Sequence, residues 1–148
     1  MTGTILVPVE GGPMKLLTKN SDYAVQSLVY LAKSNKDFLS SKEISHKNKI
    51  PYHYLRKIFQ KLIAAGYVES KEGGKGGFRL KINPAKIRLV DVMKIFQGKV
   101  QLVDCMFQKK ICHNRKTCIL REHIKEAEEA VIEKLSKVTI KNLIRRKK

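Results

Sequence analysis

Apolar residues recur along this chain in more than one rhythm. From about Ser21 to Ser34, Ala24, Val25, Leu28, Val29, Leu31 and Ala32 fall on one side of a helical period, and Ser21 is placed to cap that helix. "SSKE" at 40–43 sets Ser40 three residues before Glu43, which is capping-box spacing, and opens a short helix to about Lys47. Leu55, Ile58, Phe59, Leu62 and Ile63 then recur at i, i+3, i+4, i+7 and i+8, one buried stripe on a third helix. Pro51 suits the first position of that helix and Gly66 its left-handed cap. Beyond Gly66 the rhythm shortens. "YVESK" at 67–71 and "FRLKI" at 78–82 predict two strands around "EGGKGG", a glycine-rich hairpin tip. Pro84 breaks the chain, and a helix from about Leu89 to Gln97 stops at Gly98.

A long helix is expected from about Cys118 to Ser136. Its apolar residues Leu120, Ile124, Ala127, Val131, Leu135 and Val138 are separated by 4, 3, 4, 4 and 3. That near-heptad stripe is narrow enough to be a seam between two copies of the chain; packing on its own domain is the alternative. The order of elements predicts a mainly α fold with a small β-wing, a winged helix-turn-helix followed by a long C-terminal dimerisation helix. The expected boundaries are 14–98 for the winged domain, 99–118 for a cysteine loop, and 119–148 for the dimerisation helix and a basic tail. Residues 1–13, "MTGTILVPVEGGP", end just before Met14 and are expected to be a poorly ordered leader or upstream start. They lack the basic and apolar regions of a secretory signal.

Charge sharpens the picture. Lys and Arg number 31 against 13 Asp and Glu, a net +18. Such an excess points to a polyanion, with nucleic acid first and a membrane surface second. Between Lys42 and Arg88 twelve cations face three glutamates, so +9, half the excess, sits on a third of the length. The third helix has a polar face that its apolar stripe turns outward. Candidate DNA-binding residues are Ser41, Tyr52, His53, Tyr54, Arg56, Lys57, Gln60 and Lys61, with Lys75 and Gly76 at the wing tip. Arg and Gln form bidentate pairs with base edges, and Lys neutralises phosphate. Double-stranded DNA is the expected partner. A basic RNA- or ribosome-associated protein is the competing class. No apolar run suits a membrane span, and a cytoplasmic location is expected. His46, His53, His113 and His123 form no motif with a nucleophile or a phosphate loop, so an enzyme is not expected.

All three cysteines, Cys105, Cys112 and Cys118, fall in "DCMFQKKICHNRKTC". Three thiols cannot complete a tetrahedral zinc site or an iron–sulfur cluster, so a fourth donor is needed. Lys109, Lys110, Arg115 and Lys116 interleave them, and cations beside cysteines favour the metal-binding thiolate. Soft sulfur selects iron–sulfur clusters, zinc or copper(I), and the spacing is wider than that of a structural zinc ribbon. Cluster-free, redox-active thiols remain the alternative. His113 and His123 are local candidates for the fourth donor.

"MKLLTKNSDYAVQSLVYLA", "SSKEISHKNKIPYHYLRKIFQKLIAAGYVES", "GGKGGFRL", "IRLVDVMKIFQG", the three-cysteine stretch and "EKLSKVTIKNLI" together resemble the Rrf-two family of bacterial winged-helix repressors. The resemblance runs from Met14 to about Ile144. It implies a homodimeric, bacterial, cytoplasmic repressor whose operator affinity follows an iron–sulfur cluster, 2Fe–2S favoured over 4Fe–4S, sensing cluster status, redox or nitric oxide. It also implies Asp22, in "SDYA", as the fourth ligand, contributed across the dimer as in the family's nitric-oxide sensor. Three positions depart from family patterns. Glu72 stands where many members carry a wing arginine, leaving Lys75 to substitute. Arg56 stands where the cluster-assembly regulator has a glutamate, so the operators should differ, since arginine prefers guanine. Arg121 stands where that regulator has a ligand histidine, and a guanidinium is a poor ligand.

Overall fold

The computed structural model describes residues 16–100 and 118–144. The expectations for 1–13, and those for Cys105, Cys112 and His113, lie outside the described residues.

Helix α1 runs Lys19–Lys33. Thr18, not Ser21, caps it: Thr18 Oγ1 accepts from the Ser21 amide at 3.3 Å. The correction has a packing cause. Ser21 is completely buried inside the first turn, where its hydroxyl donates to Gln97 Oε1 at 2.8 Å. Helix α2, Ser41–Asn48, starts where capping predicts, with Ser40 Oγ accepting from the Glu43 amide at 3.2 Å. The Glu43 carboxylate is drawn to Lys36, whose Nζ donates to it at 2.8 Å. Helix α3 spans Tyr52–Ala64, with Pro51 as its cap residue rather than its first turn. Gly66, at φ 80°, takes the left-handed position beyond the end. The Gly66 amide donates to Ile63 O at 3.0 Å and the Tyr67 amide to Leu62 O at 3.1 Å, the paired bonds of a Schellman stop.

Strands β1, Val68–Lys71, and β2, Gly77–Leu80, pair antiparallel in the register Lys71↔Gly77 to Val68↔Leu80. The wing is tied to the loop before α2 by a two-bond bridge between Leu39 and Phe78, at 2.9 and 2.8 Å. A single 3₁₀ turn at Pro84–Lys86 leads into α4, Leu89–Gln97, which Gly98 ends at φ 70°.

The main core lies where α1, α2, α3 and the wing meet. Ala24, Leu28, Leu39, Ile44, Leu55, Ile58, Phe59, Leu62 and Val68 are all buried there, and Phe59 stacks on Phe78 at 4.2 Å between ring centres. Ile63 departs from the expected stripe: it is 38% exposed, at the flank of α3.

Helix α5, Ile119–Ser136, has no buried residue of its own in the chain. Its expected seam splits. Leu135 and Val138, with Ile132, pack against Leu89, Met93 and Val100, while Leu120 is 67% exposed. The chain then returns to the winged domain. Helix α6, Ile140–Leu143, is held by a Thr139–Asn142 capping box, and buried Ile140 donates its amide to Ile87 O at 2.9 Å. No helix among the described residues is long and apolar enough to cross a membrane.

Candidate nucleic-acid interface and cysteine site

Burial fixes how α3 is turned. At about 100° per residue, His53, Lys57 and Gln60 lie within roughly 30° of the direction opposite its buried stripe. All three are exposed. Arg56 stands about 70° to one side, and Lys61 and Tyr54 stand about 70° and 90° to the other. The outward face therefore carries two cations and two polar groups whose chemistry suits a nucleic acid: Arg and Gln can pair with base edges, Lys can neutralise phosphate, and His can add a further donor. Tyr52, 58% exposed at the start of the helix, stands about 110° from the outward direction, on the Arg56 side.

The flank residues have neighbours that sequence reasoning did not foresee. Tyr54 is half-buried, packs edge to face on Tyr23 of α1 at 6.0 Å, and lies 4.3 Å from the His53 ring. Lys61 turns toward α4, its ammonium 5.6 Å from the centre of the Phe96 ring. Ser41 is the first residue of α2 and half-buried.

At the wing tip Lys75 is exposed, and the Gly76 amide donates to Gly73 O at 3.0 Å to close the turn. A Cβ on Gly76 would run into the Lys71 backbone, so the tip can be this tight only with glycine there. Charge on the wing is not uniformly available. Arg79 is bonded to Glu69 and Asp37, and hydrogen bonds to Glu69 first, then Asp37, hold its guanidinium more firmly charged. Its guanidinium also lies 4.6 Å over the Phe38 ring. Arg79 is thus spent on joining the wing to the loop before α2.

Of the residues expected at the cysteine site, the structure describes Cys118, His123 and Asp22. Cys118 is a half-exposed free thiol at the N-cap of α5. His123 is exposed, and its Nδ1 lies 3.7 Å from Glu126 Oε2. Five residues on a helix amount to about 140° of rotation, so His123 and Cys118 do not share a face. Asp22 is exposed in the first turn of α1, and its Oδ2 accepts from Gln26 Nε2 at 2.9 Å. Among the described residues no three His, Cys, Asp or Glu side chains form a metal site.

One cluster connects the two regions. Gln97, the last residue of α4, accepts through Oε1 from Ser21 Oγ at 2.8 Å and the Thr18 amide at 3.1 Å, and donates to Leu16 O at 3.0 Å. The start of α1, beside Asp22, is thereby fastened to the end of α4. A glutamine before a helix-stopping glycine carries no sequence signal for such a clasp, because its partners are 76 to 81 residues away.

Three core helices, an outward basic face and a wing define a winged helix-turn-helix regulator. The family model for Rrf2, described as an iron-dependent transcriptional regulator, matches residues 17–146. The chain belongs to the Rrf2 (Rrf-two) family of transcriptional regulators. It is 32% identical over 130 residues to the HTH-type transcriptional regulator NsrR of Shouchella clausii, covering 86% of this chain and 87% of that one. To NsrR of Bacillus subtilis it is 31% identical over 133 residues, covering 88% and 91%. Among solved structures it superimposes on CymR, the global cysteine regulator of B. subtilis, with a TM-score of 0.72 at 26% identity, covering 88% of this chain and 97% of that one. The IscR of T. potens shares the fold, with a TM-score of 0.70 at 21% identity, covering 90% and 89%. These relatives are regulators, not enzymes.

Proposed function

We propose that the chain is a homodimeric transcription regulator that places one α3 in each half-site of a double-stranded operator, under the control of an iron–sulfur cluster. The observation carrying the DNA reading is the outward face of α3, with His53, Lys57 and Gln60 at its centre and Arg56 beside them. The exposed apolar N-terminal half of α5, with Ile119 and Leu120, supports pairing between two copies.

Cys105, Cys112 and Cys118 supply three thiolate donors, and Asp22 of the other subunit is the proposed fourth. The donor chemistry fits: the Cys118 thiol is free and half-exposed, and Asp22 offers an exposed carboxylate. His123 fits less well, being on another face of α5. His113 lies outside the described residues. The iron-dependent description of the family favours the cluster over cluster-free thiols. A 2Fe–2S cluster is favoured over 4Fe–4S. When bound, the cluster supplies sensitivity to redox state or nitric oxide. The chain converts that into affinity through α1: Asp22 adjoins Ser21 in the Gln97 clasp, and Tyr23 packs against Tyr54 on α3.

Two experiments test the parts separately. Arg56→Ala should cost roughly 1–3 kcal/mol at one operator position and relax specificity there, whereas an equal loss on random duplex would contradict base reading. Anaerobic reconstitution should give a coloured protein with a paramagnetic signal on reduction, and Asp22→Ala should shorten the cluster lifetime while leaving the dimer folded. A colourless product holding stoichiometric zinc would end the cluster reading.

A further inference from the structure

Lys19 is the first residue of α1 and is exposed. Its ammonium lies 5.6 Å from the centre of the Tyr23 ring and 5.7 Å from that of Tyr54. Lysine is a flexible side chain, and two rings that attract its charge narrow the positions its ammonium takes. Among the described residues no carboxylate lies within ion-pair distance of that ammonium, and Asp22, one turn along, accepts from Gln26 instead. Among the described residues the charge is thus held by the two rings and not paired with a carboxylate.

Its place relative to the reading face can be bounded. The His53 ring, central on that face, is 4.3 Å from the Tyr54 ring, and Lys19 Nζ is 5.7 Å from Tyr54, so Lys19 Nζ lies no more than about 10 Å from His53. A helix seated in a major groove about 12 Å wide has backbone phosphates beside it at comparable distances. Tyr54 stands about 90° from the outward direction, toward the side of the groove rather than its floor.

We propose that Lys19 is a phosphate anchor: it grips the DNA backbone bordering the groove that α3 enters, and the Tyr23–Tyr54 pair positions it. Tyr54 is then a positioning residue rather than a base contact. The proposal rests on the operator-binding reading above and adds to it a contact from α1, outside the helix-turn-helix and the wing.

The test uses the full chain, a duplex selected from a random library by the wild-type protein, and a random duplex of equal length. Binding is followed by fluorescence anisotropy across a salt series. Lys19→Ala should flatten the dependence of log affinity on log salt by about 0.9 for each bound subunit, on both duplexes alike. Lys19→Arg should retain the wild-type slope. Tyr54→Phe should match wild type, because the ring is kept, whereas Tyr54→Leu should weaken binding to both duplexes with little change in slope. An unchanged slope for Lys19→Ala overturns the anchor. Equal losses for Tyr54→Phe and Tyr54→Leu overturn the positioning role, since the hydroxyl would then be touching DNA. Wild-type protein without salt-dependent duplex binding overturns the operator reading and the anchor with it. Lys19 is on the surface, so unchanged urea midpoints are expected for its variants.

Discussion

Gln97→Leu removes the side chain that fastens α4 to α1 while keeping its approximate size. Three hydrogen bonds go with it: from Ser21 Oγ at 2.8 Å, from the Thr18 amide at 3.1 Å, and to Leu16 O at 3.0 Å. Each is worth about 0.5–1.5 kcal/mol net. The Thr18 bond is exposed and belongs at the low end. The Ser21 bond belongs at the high end, since the residue is fully buried, although its hydroxyl also accepts from Thr18 Oγ1 at 3.1 Å. The expected loss is about 2–3 kcal/mol, measured as the urea midpoint at fixed protomer concentration because dimerisation adds to apparent stability. A double-mutant cycle isolates the buried part. With Ser21→Ala added, no orphaned hydroxyl remains, so the double variant should be about 1 kcal/mol more stable than the two single losses predict. A Gln97→Leu loss below about 0.5 kcal/mol, or strict additivity with Ser21→Ala, would refute the clasp as a source of stability.

Two further outcomes follow from backbone and charge. Gly77→Ala should cost more than Gly66→Ala: both have positive φ, at 143° and 80°, but a Cβ on Gly77 would strike the Leu39 carbonyl while one on Gly66 meets nothing. Strain alone is worth about 1–2 kcal/mol, so equal urea midpoints for the two variants would contradict the close approach of wing and loop. Stability should also fall as pH rises above about 10. Burial, then Glu43, raises the Tyr30 pKa; burial, then Asp91, raises that of Tyr67; and the hydrogen bond that Lys36 donates to Glu43 raises that of Lys36. In each case the unfolded chain gives up its proton first, so stability present below the unfolded pKa is lost as pH climbs through the folded one. A flat urea midpoint between pH 9 and 11, roughly the window around the ordinary tyrosine value, would count against these environments.

What the sequence made legible was whatever is decided within one turn of helix or one hairpin. Ser40 capping α2, Gly66 stopping α3 and the hairpin around "EGGKGG" depend on neighbours three or four residues away, and each stands where local spacing puts it. Ser21 shows the limit of that rule. It has the right chemistry for a cap, but Thr18 is three residues earlier and equally able, and a glutamine 76 residues later recruits the Ser21 hydroxyl into the core. The same holds at the candidate interface. Periodicity identified the outward face of α3, yet Tyr54 and Lys61 at its edges are claimed by Tyr23 and Phe96 from other helices. Lys19 was invisible as a site residue because its role comes from two rings on different elements.

The split of the α5 seam bears on how a signal could reach DNA. Leu135, Val138 and Ile140 fix the end of α5 and the start of α6 to the winged domain, leaving the opposite end, with Leu120 and the Cys118 cap, to carry its exposed apolar surface. Under the proposed pairing, the partner surface and the Cys118 donor therefore lie at the same end of the helix. A carboxylate from a partner's α1 is the proposed fourth donor in such a dimer, since it would join the two subunits at that end. The first turn of α1 is then shared by three contacts: Asp22 for the cluster, Ser21 for α4, and Lys19 with Tyr23 for α3. A displacement of that turn would disturb the phosphate anchor and the recognition helix together, so cluster state should alter affinity for random as well as operator DNA. An effect of cluster state confined to operator DNA would mean that the signal reaches α3 by another route.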